Sequence, residues 1–76
     1  MHDFASPDLL ARCHGFSVEA PNGRIGALED VLYRTSLTRP DELLVRCGRL
    51  RRRLVRLPAG RVVEIRPDER RVLLRR

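Results

Sequence analysis

A few side chains in this sequence are of types that perform acid–base or nucleophilic chemistry. They are His2, Cys13, His14, Tyr33, Cys47 and the adjacent carboxylates Glu29 and Asp30. Catalysis requires a nucleophile, or an acid and a base, held together in a shielded pocket. Cys13 and His14 are sequence neighbours, and neighbours on a strand point to opposite faces. We therefore predict no nucleophile–base pair and expect a protein that is not an enzyme and uses no cofactor.

The same side chains make a poor metal site. Structural zinc takes about four ligands, and Cys13, His14 and Cys47 would need His2 as the fourth. No C-x-x-C or H-x-x-x-H spacing is present. We expect two free, buried thiols instead of a metal site or a disulfide. Glu29 and Asp30 are expected to shape a strand bulge or to pair with arginines.

Arginines are the strongest signal in the sequence. Residues 1–45 hold four arginines against seven carboxylates, whereas residues 46–76 hold twelve arginines against three carboxylates. The two parts thus carry net charges of −3 and +9, and the whole chain carries +6. Lysine is absent, and a GC-rich codon bias would explain that choice of residue. Codon bias does not explain why the arginines cluster.

The clustered arginines predict a basic face on the folded protein. Some surround a predicted turn after Gly48, others alternate with apolar residues on strands, and others mark the last strand. The predicted partner-binding set is Arg46, Arg49, Arg51, Arg52, Arg53, Arg56, Arg66, Arg70 and Arg71. Guanidinium groups pair with carboxylate and phosphate alike.

Two kinds of partner fit such a face. The first is an acidic protein or a second copy of the chain, with a dimer expected because the core of a chain of 76 residues is thin. The alternative is a nucleic-acid backbone, such as ribosomal RNA, held through phosphate contacts. Base stacking is not expected, because Phe4, Phe16 and Tyr33 are the only aromatic residues.

Strand signals dominate the chain. We predict strands over residues 14–19 and 24–34, joined by a hairpin turn at Pro21-Asn22-Gly23. Uneven apolar spacing predicts a bulge within residues 26–30. Further strands are predicted over residues 42–47, 53–57, 61–66 and 70–75, with Val55 and either Leu57 or Leu54 facing inward on the fourth. The best helical candidate is a short turn over residues 7–12, with Ser6 as a possible N-cap.

Six short strands in so little chain predict an all-β fold, a single small barrel or a tightly bent sheet, because closure removes exposed sheet edges. We expect residues 1–12 to form a flexible N-terminal segment and residues 13–76 to form the domain. No run of apolar residues is long enough for a membrane span, and the N-terminus does not resemble a signal peptide. A cytoplasmic protein of bacterial type is therefore expected.

Three sequence features resemble the PRC-barrel family of small β-barrels. They are the segment from Ile25 to Val31 (IGALEDV), the segment from Val45 to Gly48 (VRCG), and the Leu57-Pro58 step before a short strand. The resemblance covers residues 15–74 and rests on the order and spacing of these features. Family members include the cytoplasmic domain of the photosynthetic reaction-centre H subunit and the C-terminal domain of a ribosome maturation factor. The resemblance implies a non-catalytic docking module that contacts other proteins, sometimes near RNA.

Overall fold

The computed structural model describes residues 7–35, 39–48 and 50–76. Its elements are the helix α1 (Pro7–Ala11) and the strands β1 (Ser17–Ala20), β2 (Gly23–Leu32), β3 (Glu42–Cys47), β4 (Arg53–Pro58), β5 (Val62–Arg66) and β6 (Arg71–Leu74). A 3₁₀ turn, Ala59–Arg61, links β4 to β5. The predicted all-β character, the six strands and the short N-terminal helix are confirmed. The proposed N-cap, Ser6, lies outside the described residues.

All six strands form one sheet in the order β4-β3-β2-β1-β6-β5. Four of the five strand pairs are antiparallel, and β1 pairs with β6 in parallel. In that parallel pair Val18 lies beside Val72. The sheet therefore brings the first and last strands together at its centre.

The prediction of a closed barrel is wrong. β4 and β5 are the two edges of the sheet, and no hydrogen-bonded ladder joins them. They are consecutive in the chain, but the 3₁₀ turn between them is anchored elsewhere, because the Ala59 N–H donates to the carbonyl of Asp41 at 2.9 Å. β5 then pairs with β6 instead of folding back on β4.

The core lies on one face of the sheet. Val18, Leu28, Leu43, Val45 and Val72 are almost completely buried there. From α1 and the residues after it, Leu10, Cys13 and Phe16 pack into the same cluster. Residues of the segment before β1 thus contribute to the core. We call the opposite side of the sheet the outer face.

Local signals in the sequence placed the turns and the bulge correctly. Gly23 has a φ of 137° in the first hairpin, and Gly48 has a φ of 93° after β3. The register between β2 and β3 shifts between Leu28 and Asp30, inside the predicted bulge. On β4, Val55 and Leu57 are half-buried on the core side and Leu54 faces outward.

Candidate interaction surface on the β3–β4 hairpin

One row of residues crosses the outer face of the sheet. Its register partners, from β4 to β5, are Leu54, Arg46, Ala27, Ser17, Arg71 and Arg66. Three of the predicted partner-binding arginines, Arg46, Arg66 and Arg71, therefore lie in the same row. This alignment could not be predicted from the sequence, because it depends on the parallel pairing of β1 with β6.

Carboxylates neutralise the arginines of this row. Arg71 donates to Glu19 at 2.8 Å and to Glu69 at 2.7 Å. Arg66 donates to Glu64 at 2.9 Å and to Glu69 at 3.4 Å.

The network continues toward β2. The Ser17 hydroxyl donates to Glu19 at 2.8 Å and accepts from Arg24 Nε at 3.0 Å. Three arginines and three glutamates are thus joined in the outer-face network, which is defined as Ser17, Glu19, Arg24, Glu64, Arg66, Glu69 and Arg71. Arg46 forms a separate pair with Glu29 at 2.9 Å.

The ion pairs shift the pKa values of their members. The hydrogen bond from Arg71, followed by the bond from Ser17, lowers the pKa of the Glu19 carboxyl. The Arg71 hydrogen bond also lowers the pKa of Glu69. In return, hydrogen bonds to Glu19 and Glu69 raise the pKa of Arg71. These groups stabilise one another, which makes them poor candidates for binding an outside partner.

The β3–β4 hairpin has a different charge balance. Arg51, Arg52, Arg53 and Arg56 are all exposed. None of the four forms an ion pair with any carboxylate in the described ranges. Their positive charge is therefore available to a partner.

Exposed leucines accompany these arginines. Leu50, at the tip of the hairpin, is 98% exposed, and Leu54 on β4 is 56% exposed. Arginine is enriched at protein interfaces, and Leu50 and Leu54 would add apolar contact area beside it. We define the basic hairpin as Leu50, Arg51, Arg52, Arg53, Leu54 and Arg56. Arg49, also a predicted site residue, lies outside the described residues.

A shallow concavity of about 360 Å³ adjoins the basic hairpin. Arg24, Arg46 and Arg52 line it, together with backbone at Gly26 and Gly48. Arg24 and Arg46 are held by Ser17 and Glu29, whereas Arg52 has no carboxylate partner in the described part of the chain. Arg52 is therefore the one arginine of the concavity whose side chain has no partner among the described residues.

Arg70 is separate from the basic hairpin. It lies in the turn before β6 with a φ of 54°, and its guanidinium stacks 5.5 Å from the centroid of the Phe16 ring. The eight described members of the predicted set therefore have different surroundings. Arg46, Arg66 and Arg71 are neutralised on the outer face, Arg70 packs on Phe16, and Arg51, Arg52, Arg53 and Arg56 remain available.

Among the described residues considered for catalysis, His14 and Glu29 are close together, with His14 Nε2 3.9 Å from Glu29 Oε2. Both line a concavity with Asp30, and neither cysteine lines it. Cys13 and His14 lie in the connection between α1 and β1, where Cys13 is buried and His14 is exposed. The Cys13 thiol donates to the carbonyl of Leu9 at 2.9 Å, and burial raises its pKa to about 11. Such a thiol is a poor nucleophile. Cys47 is half-buried, and both cysteines are free. His2 and Phe4 lie outside the described residues.

Glu29 and Asp30 lie at the bulge of β2, as expected. Glu29 lies where the register shifts and binds Arg46. The Asp30 carboxylate accepts the N–H of Val31 at 2.8 Å. Residues 7–35, 39–48 and 50–76 contain no cluster of three or more histidine, cysteine or carboxylate side chains that could hold a metal ion.

Comparison with known proteins adds no family. No family model matches the chain, and no curated protein gives a significant match. Within the described ranges, no helix has the length and apolar character needed to cross a membrane.

Proposed function

We propose that this chain is a non-catalytic, PRC-barrel-like docking module of the cytoplasm that binds an acidic protein partner through the basic hairpin. One observation carries the proposal. Arg46, Arg66 and Arg71 on the sheet are matched by carboxylates, whereas the four hairpin arginines, Arg51, Arg52, Arg53 and Arg56, lie within six positions of one another and have none among the described residues. A partner that supplies carboxylates would complete these pairs, while Leu50 and Leu54 would supply apolar contact area.

The family likeness is part of the proposal. The residues that resemble the PRC-barrel motifs fall on β2, at the end of β3 and at the β4–β5 connection. An open sheet is compatible with a docking role, since a partner can also reach the edges of the sheet.

Nucleic acid is the rival ligand for the same arginines. Single-strand binding proteins stack bases on exposed aromatic rings. In the described part of the chain Phe16 is buried, and Tyr33, 41% exposed, lies after β2 at the opposite end of β3 from the basic hairpin. Base stacking is therefore not expected at this surface, and the exposed Leu50 and Leu54 beside the arginines favour a protein partner over a phosphate backbone.

The test compares an acidic peptide with RNA. Labelled oligo-glutamate and labelled single-stranded oligo-uridine are titrated with the protein at low salt and followed by fluorescence anisotropy. We expect R51S/R52S/R53S to weaken oligo-glutamate binding about tenfold, since exposed ion pairs each contribute about 0.5 kcal/mol. The matched control, R12S/R39S/R75S, removes the same charge from exposed arginines outside the hairpin.

Two results would overturn the proposal. In the first, both triple variants weaken peptide binding equally, so that only net charge matters. In the second, the protein binds oligo-uridine far more tightly than oligo-glutamate, with an affinity that falls log-linearly as salt rises. That outcome would favour the RNA alternative.

A further inference from the structure

The outer edge of β4 presents backbone N–H and C=O groups that the proposed function does not use. β4 pairs along its whole length, Arg53–Pro58, with β3. It is the terminal strand of the sheet, and no second strand of the described chain lies on its other side. An edge strand presents N–H and C=O groups that pair readily with an added strand.

We infer that the β4 edge binds an extended acidic segment of the partner protein as a seventh strand. This inference rests on the proposed function and specifies how the partner binds. Backbone hydrogen bonds to β4 would supply affinity, and the alternating side chains of β4 would supply selectivity.

The side chains of β4 define what the added strand must carry. Successive side chains of β4 point to opposite faces of the sheet. Leu54 and Arg56 lie on the outer face, whereas Arg53, Val55 and Leu57 lie on the core side. Directly opposed residues of an antiparallel pair share a face and lie close together. The added strand would place acidic residues opposite Arg53 and Arg56 and apolar residues opposite Leu54, Val55 and Leu57.

Charge selects β4 over the other edge. On β5, Arg66 is already paired with Glu64 and Glu69. On β4, Arg53 and Arg56 have no carboxylate partner in the described ranges, and Arg51 and Arg52 precede the strand. An acidic strand would meet two unpaired arginines on β4, whereas the one arginine of β5 already binds carboxylates.

Charge also selects an acidic partner over a second copy of the chain. Pairing β4 with β4 of another copy would bring Arg51, Arg52, Arg53 and Arg56 alongside the same four residues. Like charges on adjacent strands are destabilising. The arginines thus protect the edge against self-pairing while leaving it open to an acidic strand.

The experiment uses one peptide and two N-methylated forms of it. The peptide is designed to pair antiparallel with residues 57 to 51, with an apolar residue opposite each apolar residue and a glutamate opposite each arginine. Its sequence is Val-Glu-Val-Leu-Glu-Glu-Glu. In an antiparallel pair, the N–H groups of alternate residues point toward the partner strand. N-methylation of one alternate set blocks the hydrogen bonds to β4, whereas methylation of the other set modifies only the solvent side.

We expect one methylated form to bind at least about tenfold more weakly and the other to bind within about twofold of the parent peptide. Equal effects of the two forms, or no effect of either, would overturn the strand-addition model. If oligo-glutamate binds but the parent peptide binds no more tightly, strand addition fails and the proposed function stands. If neither acidic peptide binds, the proposed function fails with it.

Discussion

Gly26 lies on β2 where the backbone of β3 comes close. A Cβ at this position would collide with the carbonyl oxygen of Arg46 and lie 3.0 Å from Cγ1 of Val45. Both neighbours belong to the sheet core and cannot move independently of it. Glycine is required here by the spacing of the two strands.

We predict that Gly26→Ala destabilises the fold by about 1–3 kcal/mol, the usual cost of overpacking a core. The matched control is Gly60→Ala, because a Cβ at Gly60 meets open space. The control should be neutral, or stabilising by up to about 1 kcal/mol, since alanine restricts the unfolded chain. Urea denaturation of the three proteins measures the difference. Equal stability of the two variants would contradict the close approach at Gly26.

Cys13, a candidate nucleophile by residue type, is a core residue in the structure. Its side chain is completely buried, donates to the carbonyl of Leu9 and packs in the core with Leu10 and Phe16. Cys13 and His14 were expected to point in opposite directions as neighbours on a strand. The structure places them in a connection instead, but one side chain is still buried and the other exposed.

At the scale of elements, the outer-face network ties together strands that are distant in sequence. Glu19 on β1 and Arg71 on β6 are 52 positions apart, and their hydrogen bond spans the parallel pair. Ion pairs at exposed positions contribute little singly, but a connected set with fixed geometry contributes more. The network adds specificity to the pairing of β1 with β6.

This network predicts how stability depends on pH. The folded-state pKa of Glu19 is lowered, first by the Arg71 hydrogen bond and then by Ser17, from an ordinary value of 4.5. A carboxyl group whose pKa is lower in the folded state than in the unfolded state stabilises the protein. The full contribution is present when the pH is above the unfolded-state pKa, and it is lost as the pH falls through the folded-state pKa. The urea midpoint should therefore decline below about pH 5.

Glu19→Gln should reduce stability at neutral pH and make the acid decline shallower. The control is Asp68→Asn, at an exposed turn residue that forms no ion pair with the described part of the chain. The control should keep the wild-type decline. An unchanged pH profile in Glu19→Gln would show that the Arg71 pair does not contribute to folding.

Asp41 plays a comparable part in the loop before β3. Its carboxylate accepts the N–H groups of Thr35 and Arg34 at 2.8 and 2.7 Å and the Thr35 hydroxyl at 2.9 Å. These bonds, the Thr35 backbone bond first, lower the pKa of Asp41. Asp41 adds to the same acid decline, so Glu19→Gln should flatten it only in part.

At the scale of the whole molecule, the open sheet changes what the protein can bind. A barrel would leave only its loops and outer side chains for a partner. With β4 and β5 as edges, backbone hydrogen-bonding groups are available as well. The basic hairpin lies at one of these edges, so charge and backbone pairing act on the same partner.

The mass of the protein in solution distinguishes self-association from binding to an acidic partner. The thin core predicts a dimer, whereas the proposed acidic partner does not require one. We predict a monomer in light scattering up to high micromolar concentration, because unpaired arginines at β4 oppose self-pairing. R51E/R52E should permit association with the wild-type chain by reversing part of that charge, and a mixture should then show a larger mass. A wild-type mass that rises with concentration would favour self-association instead.

The sequence by itself determined the features that depend on near neighbours. Apolar alternation and turn residues located six strands, the Pro21-Asn22-Gly23 turn and the bulge around Glu29. The clustering of arginine after Cys47 likewise identified the hairpin that remains the candidate surface. These features are local, because strand propensity, turn geometry and side-chain direction are set within a few residues.

Only the tertiary structure decided which arginines are available. The parallel pairing of β1 with β6 brings Glu19 to Arg71, and the bulge on β2 brings Glu29 to Arg46. The anchoring of the 3₁₀ turn after β4 leaves the sheet open. Strand order and register arise from packing between distant segments. The charges that this packing brings together therefore cannot be predicted from the composition of the chain. Because of that packing, Arg46, Arg66 and Arg71 are neutralised on the sheet, while Arg51, Arg52, Arg53 and Arg56 remain open to a partner.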